Sequence, residues 1–164
     1  MAKVAIVYGS STGATESVSQ KISEAIGGVD VYNVDGLNFD DLADYDFLIL
    51  GTSTTGIGDL QDDWDTALSK LSKFDFSNKK VALFGLGDSA SFSDSFASAL
   101  YVLYKELKGK VEIVGAVDVD GYTFDSSDAV VDDKFVGLAL DEDNEYNETD
   151  SRIAAWVEDL KKYF

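Results

Sequence analysis

The chain has no cysteine, no histidine and no proline. Without cysteine there is no disulfide framework and no thiol nucleophile. Without histidine there is no Ser-His-Asp triad, no zinc finger and no histidine-ligated metal. Catalysis and metal binding that depend on cysteine or histidine are therefore not expected. Positive charge is also scarce: 13 Lys and Arg stand against 31 Asp and Glu, a net charge of −18. A polyanion such as nucleic acid, or an anionic membrane surface, would repel such a chain. No apolar run approaches 18 residues, the length of a spanning helix, and the first residues lead straight into a short apolar segment. Neither a membrane span nor a signal peptide is expected, and the cytoplasm is the default location. The acidity has two compatible readings, solubility or salt adaptation on one side and steering toward a basic partner on the other.

At 164 residues the chain has the size of one domain and can bury roughly 70% of its unfolded surface without a covalent staple. Short apolar runs alternate with helical periodicity. Val4 to Tyr8 reads as a strand buried on both faces and ended by Gly9. Val18, Ile22, Ala25 and Ile26 form one helix stripe, stopped by Gly27-Gly28. Further strands are expected at Val29–Val34, Phe47–Leu50, Val81–Phe84 and Val111–Val117. Helix faces are expected around Trp64, Leu68 and Leu71, along Phe96, Leu100, Leu103, Tyr104 and Leu107, and along Ile153, Trp156, Val157 and Leu160. Five β-then-α units in succession imply an α/β fold, a parallel sheet with helices on both faces. One stretch breaks the rhythm. About 30 residues separate Val117 from the last helix face, where a connection normally takes about 2–6. They contain the turn-like Asp120-Gly121 and a second apolar run, Phe135 to Leu140. This reads as a fifth strand split by an excursion of about 20 residues, roughly 118–137. No repeat, low-complexity tract or linker divides the chain, so residues 1–164 are expected to form one domain.

Ligands of open α/β sheets lie beyond the carboxyl ends of the strands. Three loops leave those ends. Gly9-Ser10-Ser11-Thr12-Gly13-Ala14-Thr15 joins a strand to a helix and offers hydroxyls and helix-start N–H groups, an anion site made of dipoles. It is neither a Walker A loop nor a dinucleotide fingerprint, and it has no Lys or Arg. Neutral donors of this kind suit a permanently bound monophosphate better than a triphosphate that needs magnesium and a lysine. Gly51-Thr52-Ser53-Thr54-Thr55-Gly56-Ile57-Gly58-Asp59 is small and glycine-rich, allowing backbone to approach a flat ligand. Gly85-Leu86-Gly87-Asp88 makes a tight turn followed by Phe92. Each signal alone competes with a plain reading as an N-capping turn, a flexible connection or a packed aromatic. Their shared register at the ends of strands one, three and four favours a phosphate-bearing planar ligand.

With these loops the sequence resembles the long-chain flavodoxins, small FMN-carrying electron shuttles. The similarity runs from Ala2 to about Phe164. It is carried by Gly-Ser-Ser-Thr-Gly-Ala-Thr, by Gly-Thr-Ser-Thr-Thr-Gly-Ile-Gly-Asp-Leu-Gln and by Phe-Gly-Leu-Gly-Asp. The most specific stretches are Asp120-Gly121-Tyr122 and Lys134 to Asn144. The resemblance implies a flavodoxin-like, doubly wound, five-stranded parallel sheet in three α/β/α layers, the split fifth strand marking the long-chain group. The resemblance also implies the strand order 2-1-3-4-5, with FMN at its switch point.

The implied role is a low-potential one-electron carrier with non-covalently bound FMN, shuttling mainly between semiquinone and hydroquinone, and not an enzyme. Ser10, Ser11, Thr12, Gly13, Ala14 and Thr15 would bind the phosphate. Ser53, Thr54, Thr55, Gly56, Ile57 and Gly58 would line the inner face and the N5 edge. There the Gly56 carbonyl would accept the N5 proton after a peptide flip that glycine makes inexpensive. Leu86, Gly87 and Asp88 would meet the pyrimidine edge, Phe92 would stack on the outer face where Tyr is usual, and Asp143 would lie near the ribityl chain. The chain departs from the family at Thr55, where an aromatic or bulky apolar residue is common, at Ser53 (commonly Pro) and at Ala14 (commonly Lys or Asn). The ring-side loops carry no Lys or Arg but include or adjoin Asp59, Asp62, Asp63 and Asp88. A carboxylate about 12 Å from a reduced, anionic flavin costs roughly 1.4 kcal/mol at an effective dielectric constant of about 20, or about 60 mV for one electron. A monomer docking transiently on basic redox partners, such as an NADP-dependent flavodoxin reductase, is implied, with no nucleic acid and no membrane. The alternative is an FMN-dependent, quinone reductase-like enzyme. A receiver domain of the same fold lacks its acidic pair and its lysine here. An acidic structural domain would be colourless.

Overall fold

Apolar runs with no polar alternation must be covered on both sides, and the chain meets this demand with one central sheet and helices against each face. The computed structural model describes residues 3–55 and 57–164. In chain order the elements are β1 (Val4–Gly9), α1 (Ala14–Ile26), β2 (Asp30–Asn33), β3 (Phe47–Thr55), β4 (Asp59–Leu60), α2 (Asp62–Lys73), β5 (Lys80–Leu86), α3 (Ala99–Leu107), β6 (Glu112–Val114), β7 (Val117–Asp118), β8 (Val130–Val131), β9 (Lys134–Phe135), β10 (Leu138–Leu140) and α4 (Thr149–Leu160).

The sheet runs β2-β1-β3-β5-β10, all parallel. Its last position is filled twice. β6 pairs with Lys80–Ala82 at the start of β5, and β10 pairs with Phe84–Leu86 at its end. β6 and β10 are thus the two halves of the expected fifth strand. Counted as one, with the two-residue β4 set aside, they complete the order 2-1-3-4-5. On one face α1 and α4 pack Val18, Ile22, Ile153, Trp156, Val157 and Leu160 against Ile6, Ile49 and Phe84. On the other, α2 and α3 pack Trp64, Leu71, Leu100, Leu103 and Leu107 against Val7, Leu50 and Leu83.

Between the two halves the chain forms a small antiparallel sheet, β7-β9-β8. Tyr122, Phe124 and Phe135 gather round the buried Phe96 with ring centroids 5.5–6.2 Å from it. The Asp125 N–H donates to the Ser93 carbonyl (2.9 Å), the Ser126 hydroxyl to the Asp94 carbonyl (2.7 Å), and the Asp128 N–H to Ser98 Oγ (3.0 Å). The excursion therefore backs the segment that follows the third loop.

Four details differ from the sequence-based expectation. Val117 leaves the fifth strand for β7, after a turn at Gly115 whose carbonyl accepts the Trp156 indole N–H at 2.8 Å. Phe135 pairs in β9, and the main sheet resumes only at Leu138. Phe96 precedes α3, because burial in the aromatic cluster outweighs its place in the helical period. The crossover from β2 to β3 holds a single 3-10 turn, Phe39–Leu42, in place of an α-helix, started by Asn38 Oδ1 accepting from the Asp40 N–H at 3.1 Å. Among the described residues no helix is long and apolar enough to cross a membrane.

Candidate functional site

β1, β3, β5 and β10 end at the same side of the sheet, and the four following segments meet there. The first loop folds on itself: the Gly13 N–H donates to Ser10 Oγ at 2.9 Å, and Gly13 turns the chain into α1 with φ of 94°. The N–H groups of the first turn of α1 have no intrahelical acceptor, as at any helix start. Thr15 sits in that turn at 1% exposure, and its hydroxyl oxygen has no hydrogen-bond partner among the described residues. A buried hydroxyl without a partner is costly, so it marks a place where a ligand is expected. Gln61, also buried, fixes the loop from behind. Its Nε2 donates to Ser11 Oγ (3.1 Å), while its Oε1 accepts the N–H groups of Asp63 (3.0 Å) and Trp64 (3.2 Å) at the start of α2.

In the second loop β3 turns back along β4, pairing Thr54 with Leu60 and Thr55 with Asp59. Thr54 Oγ1 accepts the Ala99 N–H at 3.3 Å, which ties the loop to α3. In the third, the Gly87 N–H donates to the Leu140 carbonyl at 3.0 Å. Asp88 Oδ1 accepts from the Ser91 N–H (3.0 Å), the Ala90 N–H (3.2 Å) and the Asn144 amide (2.8 Å). These donors, the Ser91 N–H foremost, hold the Asp88 carboxyl below the ordinary aspartate range.

After β10 the fully buried Asp141 accepts from the Ser89 hydroxyl, the Asn144 N–H (3.1 Å) and the Asn144 amide (2.9 Å). The carboxylates of Asp88, Asp141 and Asp143 approach within 4.8 Å of one another. Partial desolvation, then the charges of Asp88 and Asp141, push the Asp143 carboxyl above its ordinary range. A raised value favours the protonated form in the folded chain. Its contribution to stability is full below the unfolded-state value and is lost as pH rises through the folded one. Asp143→Asn should therefore raise the stability of the ligand-free protein at neutral pH, and the gain should vanish on acidification. Urea unfolding at several pH values measures this.

The segments enclose a slot of about 260 Å³. Ser11, Thr12 and Ala14 line one end, Ser53, Thr54 and Thr55 one wall, and Leu86, Gly87, Asp88 and Phe92 the other. Asp143 closes it, with Glu142, Ser95 and Ala97. None of these residues is Lys or Arg. Ser10, Gly13 and Thr15 shape the first loop without lining the slot, and Ile57 (81% exposed) and Gly58 lie outside its lining. Gly56 lies outside the described residues, as does the flip expected there. Phe92 is 42% exposed and so stands at the mouth instead of packing under its loop. Glu142, Ser95 and Ala97 were not legible as site residues. Glu142 adjoins Asp143 in the same motif, whereas the other two reach the slot only because Phe96 is pulled out of the helix.

A sequence model of the flavodoxin family matches residues 6–156. The chain is 44% identical to flavodoxin 1 of Azotobacter vinelandii, over all of this chain and 98% of that protein. It is 42% identical to the flavodoxin of Helicobacter pylori, over all of this chain and 99% of that one. The crystal structure of Fusobacterium nucleatum flavodoxin bound to flavin mononucleotide superposes with a TM-score of 0.93 at 32% identity, covering all of this chain and 99% of the other. The chain belongs to the flavodoxin family, the electron-transfer flavoproteins whose cofactor is FMN.

Proposed function

We propose that this chain holds FMN non-covalently in the slot between its four loops and passes single electrons at low potential to basic partner proteins. The observation that carries this reading is the buried Thr15 hydroxyl, without a partner among the described residues, at the start of α1 behind the Ser11, Thr12 and Ala14 end of the slot. Such a nest of neutral donors fits a phosphate monoester. In this reading Ser10 to Thr15 grip the phosphate. Thr54, Thr55, Ile57 and Gly58 flank the inner face and edge of the ring. Leu86, Gly87 and Asp88 present backbone to its far edge, Phe92 covers the outer face, and Asp143 lies by the sugar chain.

FMN, when bound, supplies two successive one-electron steps at separate potentials. The residues of this chain decide how unfavourable the second electron is. Asp88 stays ionised under its three donors, and Asp59, Asp62 and Asp63 stand at or just before the start of α2. With no lysine or arginine lining the slot among the described residues, added negative charge there is opposed by each carboxylate nearby. The same acidic rim, with the exposed Ile57 and Phe92 beside it, suits brief, salt-sensitive docking on a basic surface such as an NADP-dependent reductase. We place this activity in a single domain acting as a monomer in the cytoplasm.

The test is a visible spectrum of the purified protein, followed by stepwise reduction. A yellow preparation with one FMN per chain is expected, with a second potential that rises as salt is added. The FMN dissociation constant should fall with salt, because a phosphate dianion is binding to a chain of net charge −18. A colourless protein that takes up no added FMN overturns the reading. A second potential that ignores ionic strength removes its electrostatic part. Steady oxidation of NADPH by the isolated protein would instead make it an enzyme of the quinone reductase kind.

A further inference from the structure

Arg152 is the sole arginine of the chain, and its side chain is only 14% exposed. Its guanidinium lies 4.0 Å from the centre of the Tyr122 ring. Nη2 donates to the Gly121 carbonyl at 3.0 Å and lies 3.0 Å from Glu145 Oε1. Nη1 is buried and has no partner among the described residues. Three pieces of chain meet on this one side chain: the excursion through Gly121 and Tyr122, the loop after β10 through Glu145, and α4 itself. The Tyr122 hydroxyl donates to the Ala139 carbonyl at 2.7 Å, so the excursion is in turn anchored to β10.

The loop held by Glu145 is the one that closes the slot. The Glu145 N–H donates to the Asp141 carbonyl at 2.8 Å. One residue earlier, Asn144 places its amide between two carboxylates, 2.8 Å from Asp88 Oδ1 and 2.9 Å from Asp141 Oδ1. Asn144 is solvent-exposed, so packing does not fix its position. We propose that Arg152 is a positioning residue for electron transfer: by anchoring Glu145 it keeps the Asn144 amide between Asp88 and Asp141, and so sets the charge and the backbone geometry at the ring edge of the slot. This rests on the reading of the slot as the FMN site.

The chemistry favours arginine over lysine. A planar guanidinium can serve a carbonyl and a carboxylate while stacking on a ring, which a compact ammonium cannot do. If the clamp loosens, Asn144 is free to leave its carboxylates. Asp88, Asp141 and Asp143 then face one another without its donor, and the loop carrying the Ser89 to Ser91 N–H groups relaxes.

A double-mutant cycle tests this in the full-length protein with FMN. Arg152→Lys keeps the charge and removes the fork, and Asn144→Ala removes the bridge. Each should weaken FMN binding about tenfold and shift the second one-electron potential in the same direction. The double variant should be no worse than Asn144→Ala alone. Wild-type values for Arg152→Lys, or shifts that simply add, overturn the proposal. Should Arg152→Lys fold poorly, Glu145→Ala removes the acceptor of the same link and carries the same expectation. Hydrogen exchange of the FMN-free protein gives a readout that does not depend on the flavin. Amides of residues 141–145 and 88–91 should both exchange faster in Arg152→Lys, and acceleration confined to 141–145 overturns the link. If Thr15→Val leaves FMN affinity unchanged, the FMN-site reading is at fault, and the exchange experiment still decides the role of Arg152.

Discussion

Thr15→Val should give a ligand-free protein that is more stable than wild type and a site that binds FMN about 100-fold more weakly. Thr15 is 1% exposed, and its buried hydroxyl has no partner among the described residues. Leaving such a group unsatisfied costs about 1–3 kcal/mol. Valine has nearly the same shape, remains β-branched at the same turn of α1, and removes that cost. A hydrogen bond to a charged group contributes about 1.5–3 kcal/mol, which is roughly a 10- to 150-fold change in a dissociation constant. Riboflavin has no phosphate, so its binding should be unaffected. Fluorescence titration with FMN and riboflavin, with urea unfolding of the ligand-free form, measures all three quantities. Equal FMN affinity in the variant would remove the phosphate from the head of α1. The opposed signs are the signature of a functional residue, in which stability is given up for a ligand contact.

Gly137→Ala should destabilise the fold by about 3 kcal/mol. A Cβ at this position would fall 2.1 Å from the Leu83 carbonyl oxygen and 2.7 Å from the Leu83 carbonyl carbon. Those are backbone atoms of the internal strand β5, which cannot rotate aside as a side chain would. Relief requires β10 to move off β5, breaking the pairing of Leu138 with Phe84. For a domain of this size the expected fall in melting temperature is roughly 6–12 °C. Because β10 leads directly into Glu142 and Asp143, which line the slot, FMN binding should weaken as well. A variant that melts within about 2 °C of wild type would mean that the close approach is tolerated by a shift too small to matter.

The two substitutions differ in how far the sequence foretold them. The first loop was legible because its message is local: glycine and hydroxyl residues between an apolar run and a helix stripe make a neutral anion site wherever they occur. The split fifth strand was legible for a similar reason, since about 30 residues without a helical pattern cannot be an ordinary connection. What fills the excursion was not. β7, β8 and β9 are two residues each, too short to leave a period, and they exist because Phe135 and its neighbours enclose Phe96. That same packing takes Phe96 out of α3, and with it brings Ser95 and Ala97 to the slot.

Taken alone, the sequence determined the alternation of strands and helices, the three loops at the strand ends, the acidic character and the family, because each depends on residues near one another in the chain. Long-range packing alone buries Thr15 without a partner among the described residues, sets Asn144 between Asp88 and Asp141, and encloses the sole arginine between the excursion, α4 and the loop after β10. The physical reason is separation: Asn144 and Asp88 are 56 residues apart, and Arg152 and Gly121 are 31 apart. No periodicity or composition records such a contact. The Asn144–Asp88 contact follows from the register in which β10 lies along β5, and the Arg152–Gly121 contact from the packing of the excursion beside α4.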